Sequence, residues 1–288
     1  MGKLSEKCCR LPSDLIISGV TQRDQYVTSP GGYGDVHQAL YRGKPVALKH
    51  MRMFQDTNQR DIRRRFCREA LVWHRLRHVY IVPLIGIDTE SFPPSFCLVS
   101  PWMKNGTVNM YLEGRQGISR QRIVNRLIGE IAQGLAFLHT ENVVHGDLRG
   151  ANILVSDAVS ACLTDFGLTV LSDASTSQSR PTAGCTRWMA PELLDPLNWG
   201  VQNRPRTSAS DIYALACVCL EHCILRLYTG HPPFHDVFSL DPAVSYQVVQ
   251  GNRPSRPAGY DPRPCLGHHA EVLGPKLRRP PDHQLDSR

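Results

Sequence analysis

The apolar runs near the start of the chain predict short buried strands. Such runs, bounded by turn residues, are typical of strands that the rest of a protein covers. Four of them precede residue 100, at residues 15–20, 46–49, 81–87 and 96–99. Two further runs, at residues 143–144 and 153–155, flank a polar loop. We expect these last two runs to pair with each other and hold the loop rigid.

A helical period appears between and after these runs. In residues 61–77, apolar residues recur every three or four positions, which predicts an amphipathic helix. A longer helix is predicted from Ser119, because serine is a common N-cap residue and the following apolar residues keep the same spacing. Residues 243–250 suit a shorter helix that ends at Gly251.

Composition limits the classes of function. The chain has 288 residues, enough for one large domain or two small lobes that share a cleft. Hydrophobic residues make up 41%, which supplies a core and argues against a disordered chain. The formal charge of +7 raises nucleic acid as a partner. However, the basic residues are spread along the chain and do not alternate with aromatic ones, so we expect no nucleic-acid partner.

The ten cysteines show no Cys-x-x-Cys spacing of a zinc site, and reduced thiols in the cytoplasm fit best. Cys217, Cys219, His222 and Cys223 lie in an apolar, helix-like segment. A metal site there is the alternative to simple packing, although the spacing is poor for one helix face. The longest apolar stretch, residues 212–220, is too short to span a bilayer. Residues 1–10 lack a signal-peptide core and form either a frayed terminus or an acylated one.

The polar loop carries the candidate chemistry. It offers a carboxylate at Asp147, a guanidinium at Arg149 and an amide at Asn152. A second apolar run, at residues 161–164, is followed by Asp165. Two acids and an amide near one point suit a hydroxyl nucleophile and a divalent cation.

The sequence around these residues resembles protein kinases. His-x-Asp-Leu-x-x-x-Asn at residues 145–152 is followed by Asp-Phe-Gly at residues 165–167, as in the kinase catalytic loop. Together with Arg-Trp-Met-Ala-Pro-Glu at residues 187–192, the pattern is most similar to the tyrosine-kinase-like Ser/Thr group in the form expanded in mushroom-forming fungi.

The resemblance implies a bilobal α+β fold. It has a small antiparallel β N-lobe with one helix at residues 13–100, and a mainly helical C-lobe at residues 101–257. Residues 1–12 are expected to be a flexible terminus. Residues 258–288 are rich in Pro, Arg, His and Gly and are expected to be disordered, so that the C-lobe lacks its last helices. Residues 222–226 are an insertion relative to the family.

The resemblance also assigns nucleotide-binding roles in the N-lobe. Lys49 would contact the phosphates and form an ion pair with Glu69. The phosphate loop, the adenine pocket and the hinge between the lobes would use the following residues: Gly31, Gly32, Gly34, Val36, Ala47, Ser100, Pro101 and Met103. Ser29 stands where the family has its first glycine.

In the C-lobe, Asp147 would position or deprotonate the substrate hydroxyl, and Arg149 would neutralise the γ-phosphate. Asn152 and Asp165 would hold Mg²⁺, and Asp211 would anchor the catalytic loop. Gly146 replaces the usual arginine. The implied activity is transfer of the γ-phosphate of ATP to Ser or Thr of a protein substrate. Dual specificity is left open, because Cys185 stands where Ser/Thr kinases carry a threonine. A catalytically weak, kinase-like scaffold that binds ATP or a partner is the alternative, because the last helices are absent from the pattern.

Overall fold

The computed structural model describes residues 11–24, 29–30, 34–51, 59–93, 95–113, 117–166, 186–198, 206–219, 221, 234 and 241–253. Several expectations lie outside these residues. They concern Gly31, Gly32, most of the N-terminal residues 1–12, the insertion at residues 222–226 and the tail at residues 258–288.

A seven-stranded sheet forms the first lobe. Its strands are β1 (Ile16–Ile17), β2 (Val20–Thr21), β3 (Ser29–Pro30), β4 (Gly34–Tyr41), β5 (Lys44–Met51), β6 (Gly86–Asp88) and β7 (Cys97–Pro101). The strand order is β1-β6-β7-β5-β4-β2, with β3 paired to β4. Among the described strands, all pairs are antiparallel except β1 with β6.

The sheet curls strongly. Only Ser18 and Gly19 separate β1 from β2, yet these strands lie at opposite ends of the strand order. Three Cα–Cα steps span at most about 11 Å, whereas five flat strand spacings would cover about 24 Å. The two ends of the sheet therefore approach each other, and the predicted strand at residues 15–20 is two short strands instead of one.

One helix packs on the first lobe, as expected. Helix α1 (Gln59–Arg75) begins and ends two residues before the predicted bounds. The helical spacing buries Phe66, Ala70 and Trp73, which join a hydrophobic core that continues into the second lobe. Leu15, just before β1, is 1% exposed and belongs to the same core.

Helices dominate the second lobe. They are α2 (Val108–Leu112), α3 (Gly117–Thr140), α4 (Pro191–Leu194), α5 (Ser208–Cys219) and α6 (Asp241–Val249). A two-stranded sheet of β8 (Ile153–Val155) and β9 (Ala161–Leu163) lies against α3. The sheet in one lobe and the helices in the other confirm the predicted α+β class.

The predicted pairing of residues 143–144 with residues 153–155 is wrong. Asn142 adopts a positive φ of 57°, and Val143 N donates to Leu138 O at 2.8 Å, which closes the end of α3. The chain then continues without strand structure through residues 143–148, while β8 pairs with β9. Backbone hydrogen bonds to the helix end outweigh the β preference of the two valines.

Two other predicted boundaries are wrong. Helix α3 begins at Gly117, so Ser119 lies in its first turn and is not the N-cap. The run at residues 81–87 contributes only its last two residues to β6. Its first residue, Ile81, forms an isolated bridge with Leu163, and Val82 N donates to Leu163 O at 3.0 Å. This run therefore links the first lobe to β9. Within the described residues, no helix combines the length and apolar character needed to cross a membrane.

Candidate active site

Lys49 is the cation at the centre of the candidate site. It lies on β5 and is 8% exposed. Its Nζ is 2.6 Å from Asp165 Oδ1 and 3.7 Å from Glu69 Oε1. Glu69 comes from α1, and Asp165 follows β9. Three distant parts of the chain thus place one ammonium group between two carboxylates.

The first-lobe sheet presents one face to this cluster. Val36 pairs with Lys49, and Ala47 pairs with Ser100. Cross-strand partners and alternate residues of a strand point to the same face. Val36, Ala47 and Ser100 therefore share a face with Lys49. The intervening residues Val46 and Leu48 pack in a separate apolar cluster on the other face.

The connection between the lobes is held by backbone hydrogen bonds. β7 ends at Pro101, and the next residue, Trp102, donates its N–H to Pro45 O at 3.1 Å. Met103 O accepts from Gly106 N at 3.0 Å. Pro101 and Met103, both half-buried, thus lie where the sheet passes into the second lobe. Of the predicted glycines, Gly34 begins β4.

Glu69 is buried in a largely dry environment. Its side chain is 4% exposed, and Oε2 has no hydrogen-bond partner. Burial raises the pKa of Glu69 from 4.5 to about 7, with the charge of Lys49 opposing the rise and that of Asp165 adding to it. The ion pair with Lys49 therefore depends on pH near neutrality.

The loop that carries Asp147 is fixed by one buried carboxylate from α5. Asp211 is 2% exposed, and its two oxygens accept from His145 N and Gly146 N, each at 2.7 Å. His139 Nε2 lies 2.9 Å from Asp211 Oδ2. Gly146 has a φ of 77°, which costs glycine little and strains other residues. The backbone conformation at this position therefore favours glycine, the residue that stands here in place of the usual arginine.

Asn152 locks the geometry of Asp147. Its Nδ2 donates to Asp147 O at 2.7 Å and to Asp147 Oδ2 at 2.9 Å. Both partners are acceptors, so the amide nitrogen must face Asp147 and the amide oxygen is directed elsewhere. Arg149 Nε lies 3.6 Å from Asp147 Oδ2. The structure therefore brings Asp147, Arg149 and Asn152 together.

Phe166, the residue after Asp165, is buried against two aromatic rings. Phe166 is 4% exposed, with its ring centroid 5.8 Å from that of Trp73 and 6.2 Å from that of His145. Asp165 itself has a φ of 59°, an uncommon conformation for a residue other than glycine. Such strain persists only where the surroundings enforce it, and it is frequent at active sites.

His145 is a neutral packing residue. It is fully buried, and burial lowers its pKa against the opposing charges of Asp211, Asp147 and Asp165. Its Nδ1 accepts from Asp147 N at 3.3 Å, which places the remaining ring proton on Nε2. The ring therefore orients Asp147 without adding a charge to the site.

Sequence reasoning missed two supporting residues. Trp73 was expected only as an apolar position of α1, yet its Nε1 donates to Val82 O at 2.6 Å and its ring packs against Phe166. His139 was not singled out at all. Its only sequence signal is a polar residue at the end of an otherwise apolar helix stripe.

The donor set fits Mg²⁺. Asp165 offers a carboxylate and Asn152 an amide oxygen, both hard ligands of the kind that Mg²⁺ prefers. One or two protein ligands suffice where nucleotide phosphates and water complete the octahedron. Among the described residues, no group of three or more His, Cys, Asp or Glu could hold a metal ion.

Comparison with known proteins agrees with this geometry. Serine/threonine-protein kinase STY46 of Arabidopsis thaliana is 29% identical over 233 residues, covering 81% of this chain and 37% of that protein. Serine/threonine/tyrosine-protein kinase HT1 of Arabidopsis thaliana is 28% identical over 242 residues, covering 83% and 57%. Tyrosine-protein kinase SPK-1 of Girardia tigrina is 35% identical over 197 residues, covering 66% and 37%.

The chain therefore spans only about a third to somewhat over half of the length of these relatives. The family model described as protein kinase domain matches residues 29–248, which is most of the chain and includes every element around Lys49, Asp147 and Asp165. The chain belongs to the protein kinase family.

Proposed function

We propose that this chain transfers the γ-phosphate of ATP to Ser or Thr hydroxyl groups of protein substrates. The observation that carries the proposal is the convergence of Lys49, Glu69 and Asp165 in one cluster. The Asp147–Asn152 pair lies beside it, since Asn152 O accepts from Thr164 N, the residue before Asp165, at 3.1 Å. A cation for phosphates, oxygen ligands for a metal and a carboxylate for a hydroxyl are the groups that this reaction needs.

In the proposed reaction, Asp147 accepts a hydrogen bond from the substrate hydroxyl and takes its proton as the new bond forms. The hydroxyl oxygen bonds to the γ-phosphorus while the bond from phosphorus to the β–γ bridging oxygen breaks. ADP leaves with that electron pair. Asn152 holds the carboxylate of Asp147 in place through its 2.9 Å hydrogen bond.

The remaining residues would neutralise the negative charge of the ATP phosphates. Lys49 would contact the α- and β-phosphates, with Glu69 restraining its side chain. Arg149 can fork onto the γ-phosphate because guanidinium pairs with phosphate through two parallel N–H bonds. Asn152 and Asp165 would hold Mg²⁺, which neutralises charge on the β- and γ-phosphates when bound.

The adenine would lie against the sheet face of Val36 and Ala47. The buried Ser100, the cross-strand partner of Ala47 on this face, has a small side chain, and Pro101 and Met103 border the edge of the face. Pro101 keeps a carbonyl acceptor and Met103 an N–H donor, which suit the edge of adenine. Gly31, Gly32 and Gly34 would cover the phosphates, because glycine lets backbone amides approach them closely.

The proposed function also implies limits for the two lobes and a cellular compartment. The N-lobe extends over residues 13–100 and the C-lobe over residues 101–257. The buried cysteines Cys97, Cys162 and Cys217 form no disulfide among the described residues, which favours a reducing compartment such as the cytoplasm.

Phosphotransfer from labelled Mg²⁺-ATP to a Ser/Thr/Tyr peptide library tests the activity. We expect label on Ser and Thr with the wild-type chain, and a loss of 10²–10⁴-fold, roughly, in Asp147→Asn, since that is the usual contribution of a catalytic base. Asp157→Asn is the matched control, because Asp157 is exposed and forms only a 3.9 Å surface ion pair with Lys104.

The rival function is a kinase-like scaffold that binds ATP without turnover. It predicts that wild type and Asp147→Asn bind Mg²⁺-ATP equally and that neither incorporates label. Phosphoamino-acid analysis of the product separates Ser/Thr from Tyr specificity, and label confined to Tyr would contradict the proposed substrate class.

A further inference from the structure

Helix α5 has a buried carboxylate near each of its ends. Asp211 lies in its first turn and accepts the backbone N–H groups of His145 and Gly146 in the catalytic loop. Glu221 follows the last residue of the helix, Cys219, by two positions and is 1% exposed. The proposed reaction uses the first acid through the loop that it holds, and gives the second no role.

Glu221 joins two segments that lie far apart in the sequence. Its Oε2 accepts from Trp188 Nε1 at 3.2 Å, and its Oε1 accepts from Asn109 Nδ2 at 3.3 Å. Trp188 ends the 3₁₀ turn Thr186–Trp188, and Asn109 lies in the first turn of α2. Because hydrogen bonds to a carboxylate are roughly twice as strong as neutral ones, Glu221 holds both side chains firmly.

Trp188 lies next to the candidate catalytic carboxylate. Together with Met189 it borders a small cavity that Asp147 also lines. Trp188 and Met189 are half-buried, whereas Thr186 and Ala190 at the ends of this segment are buried. The segment thus keeps accessible surface near Asp147, where a polypeptide has to lie when its hydroxyl group meets this carboxylate.

We propose that Glu221 is a positioning residue for the protein substrate. By holding the indole ring of Trp188, it fixes the surface beside Asp147 against which the polypeptide around the acceptor Ser or Thr packs. Glu221 itself is too deeply buried to touch the substrate, so it acts through Trp188. This inference deepens the proposed function and rests on it, since it takes the polypeptide to be the substrate.

Helix α5 gives this arrangement a fixed reference. Asp211 in its first turn holds the loop that carries Asp147, and Glu221 beyond its other end holds Trp188. The helix is anchored in the main hydrophobic core by three buried side chains, those of Ala214, Leu215 and Val218. Close-packed cores resist displacement, so the catalytic carboxylate and the substrate surface keep a constant position relative to each other.

Steady-state kinetics of Glu221→Ala in the full chain test the inference. Mg²⁺-ATP and the library peptide that wild type phosphorylates best are varied in turn. We expect the KM for peptide to rise about tenfold, the size of one charge-assisted hydrogen bond. The kcat and the KM for ATP should stay close to wild type, because the ion pairs of Lys49 do not involve Glu221. Glu113→Ala is the matched control, since Glu113 is exposed at the end of α2.

A reciprocal exchange tests the geometry independently of stability. Asn109→Asp sets a second carboxylate against that of Glu221 and should raise the KM for peptide as Glu221→Ala does. Adding Glu221→Gln to it should return the KM most of the way to wild type, because the introduced amide donates to the introduced carboxylate and still accepts from Trp188. A double variant that binds peptide better than one of its parents cannot result from a general loss of stability.

Trp188→Phe tests whether Glu221 acts through the indole N–H. This variant keeps an aromatic ring and removes the hydrogen bond to Glu221. We expect a rise in the KM for peptide similar to that of Glu221→Ala, and little further rise when the two changes are combined, because residues in one hydrogen bond are not additive. Two rises that multiply in the combined variant would mean that Glu221 does not act through Trp188.

A peptide array separates this inference from the proposed function. The array is read once for label from Mg²⁺-ATP and once for bound chain, and the second reading needs no turnover. If no peptide is labelled but wild type and Glu113→Ala bind peptides that Glu221→Ala does not, the proposed function fails and the inference stands. Equal peptide binding by wild type and Glu221→Ala, equal rises in the KM values for peptide and ATP, or no peptide bound by wild type would overturn the inference.

Discussion

Lys49 forms ion pairs with two carboxylates in the candidate site, and the burial of one of them, Glu69, makes its ion pair sensitive to pH. Lys49 lies nearer to Asp165, at 2.6 Å, than to Glu69, at 3.7 Å. Asp165 keeps 28% of its side chain exposed, whereas Glu69 keeps 4%. Water therefore helps to solvate the charge of Asp165, and the charge of Glu69 depends almost entirely on Lys49. Glu69, the more buried of the two carboxylates, is therefore also the one that lies farther from Lys49.

The first prediction concerns the stability contributed by Glu69. Its pKa is about 7 in the folded chain and near 4.5 when unfolded, so the protonated form favours folding. We compare the free energies of unfolding of wild type and Glu69→Gln. The difference should favour wild type most strongly below pH 4.5. It should fall as pH rises to about 7 and then level off. Urea unfolding of both proteins at several pH values measures this difference.

Glu141→Gln is the control for that titration, because Glu141 is exposed at the end of α3. Its difference from wild type should show no comparable fall up to pH 7. A difference for Glu69→Gln that instead grows between pH 5 and 7 would mean that Lys49 lowers the pKa of Glu69 more than burial raises it.

At the scale of elements, the segment before β2 packs against two parts of the first lobe. β1 pairs in parallel with β6 and covers its edge. The approach is close at Gly86, where an added Cβ would lie 2.5 Å from Ile17 Cγ2 and 2.9 Å from Leu15 O. Leu15 then enters the core that contains Phe66 and Ala70 of α1, the helix that carries Glu69. A short stretch of chain thereby packs against both the sheet edge and the helix.

The second prediction is that Leu15→Ala lowers the free energy of unfolding by about 2–5 kcal/mol, the usual cost of emptying a fully buried leucine site. Leu15 is 1% exposed, and its neighbour Ile16 is 45% exposed. Ile16→Ala is therefore the matched control and should cost about 1 kcal/mol or less. Denaturant titration of the three proteins compares them directly. Equal losses in the two variants would show that the segment does not pack on the core.

At the scale of the whole molecule, ligand binding should tie the lobes together. One hydrophobic core already includes residues of both lobes, and the run from Ile81 joins the first lobe to β9. The candidate nucleotide contacts are divided in the same way. Lys49 and the sheet face belong to one lobe, and Asn152 and Asp165 to the other. A nucleotide that bridges them stabilises only the folded chain.

The third prediction follows from that linkage. At a concentration about 100 times its Kd, Mg²⁺-ATP should add about 2.7 kcal/mol to the free energy of unfolding. For a chain of this size that corresponds to a rise in Tm of about 5–10 °C. Lys49→Met should lose most of the rise, while Lys104→Met, whose side chain is 69% exposed, should keep it. Differential scanning fluorimetry measures all three. An equal rise in Lys49→Met would place the nucleotide away from Lys49.

Local pattern was a good guide to what each segment is and a poor guide to where it pairs. The spacing of Phe66, Ala70 and Trp73 predicted α1 to within two residues. The same reasoning paired residues 143–144 with β8, because it could not include the hydrogen bond from Val143 N to Leu138 O. Strand partners are chosen by the whole chain, so the choice is not contained in a window of apolar residues.

The sequence by itself determined the fold class, the kinase family and the identity of the charged and amide side chains, because residue types and their spacing are written in the chain. Only the tertiary structure decided how those side chains meet: the dry burial of Glu69, the hold of Asp211 on the catalytic loop, and the hydrogen bonds of Glu221 to Asn109 and Trp188. These are properties of distance and solvent exclusion between segments remote in the chain. Packing of the complete molecule creates them, and it is packing that turns a list of ionisable residues into a site with particular charges.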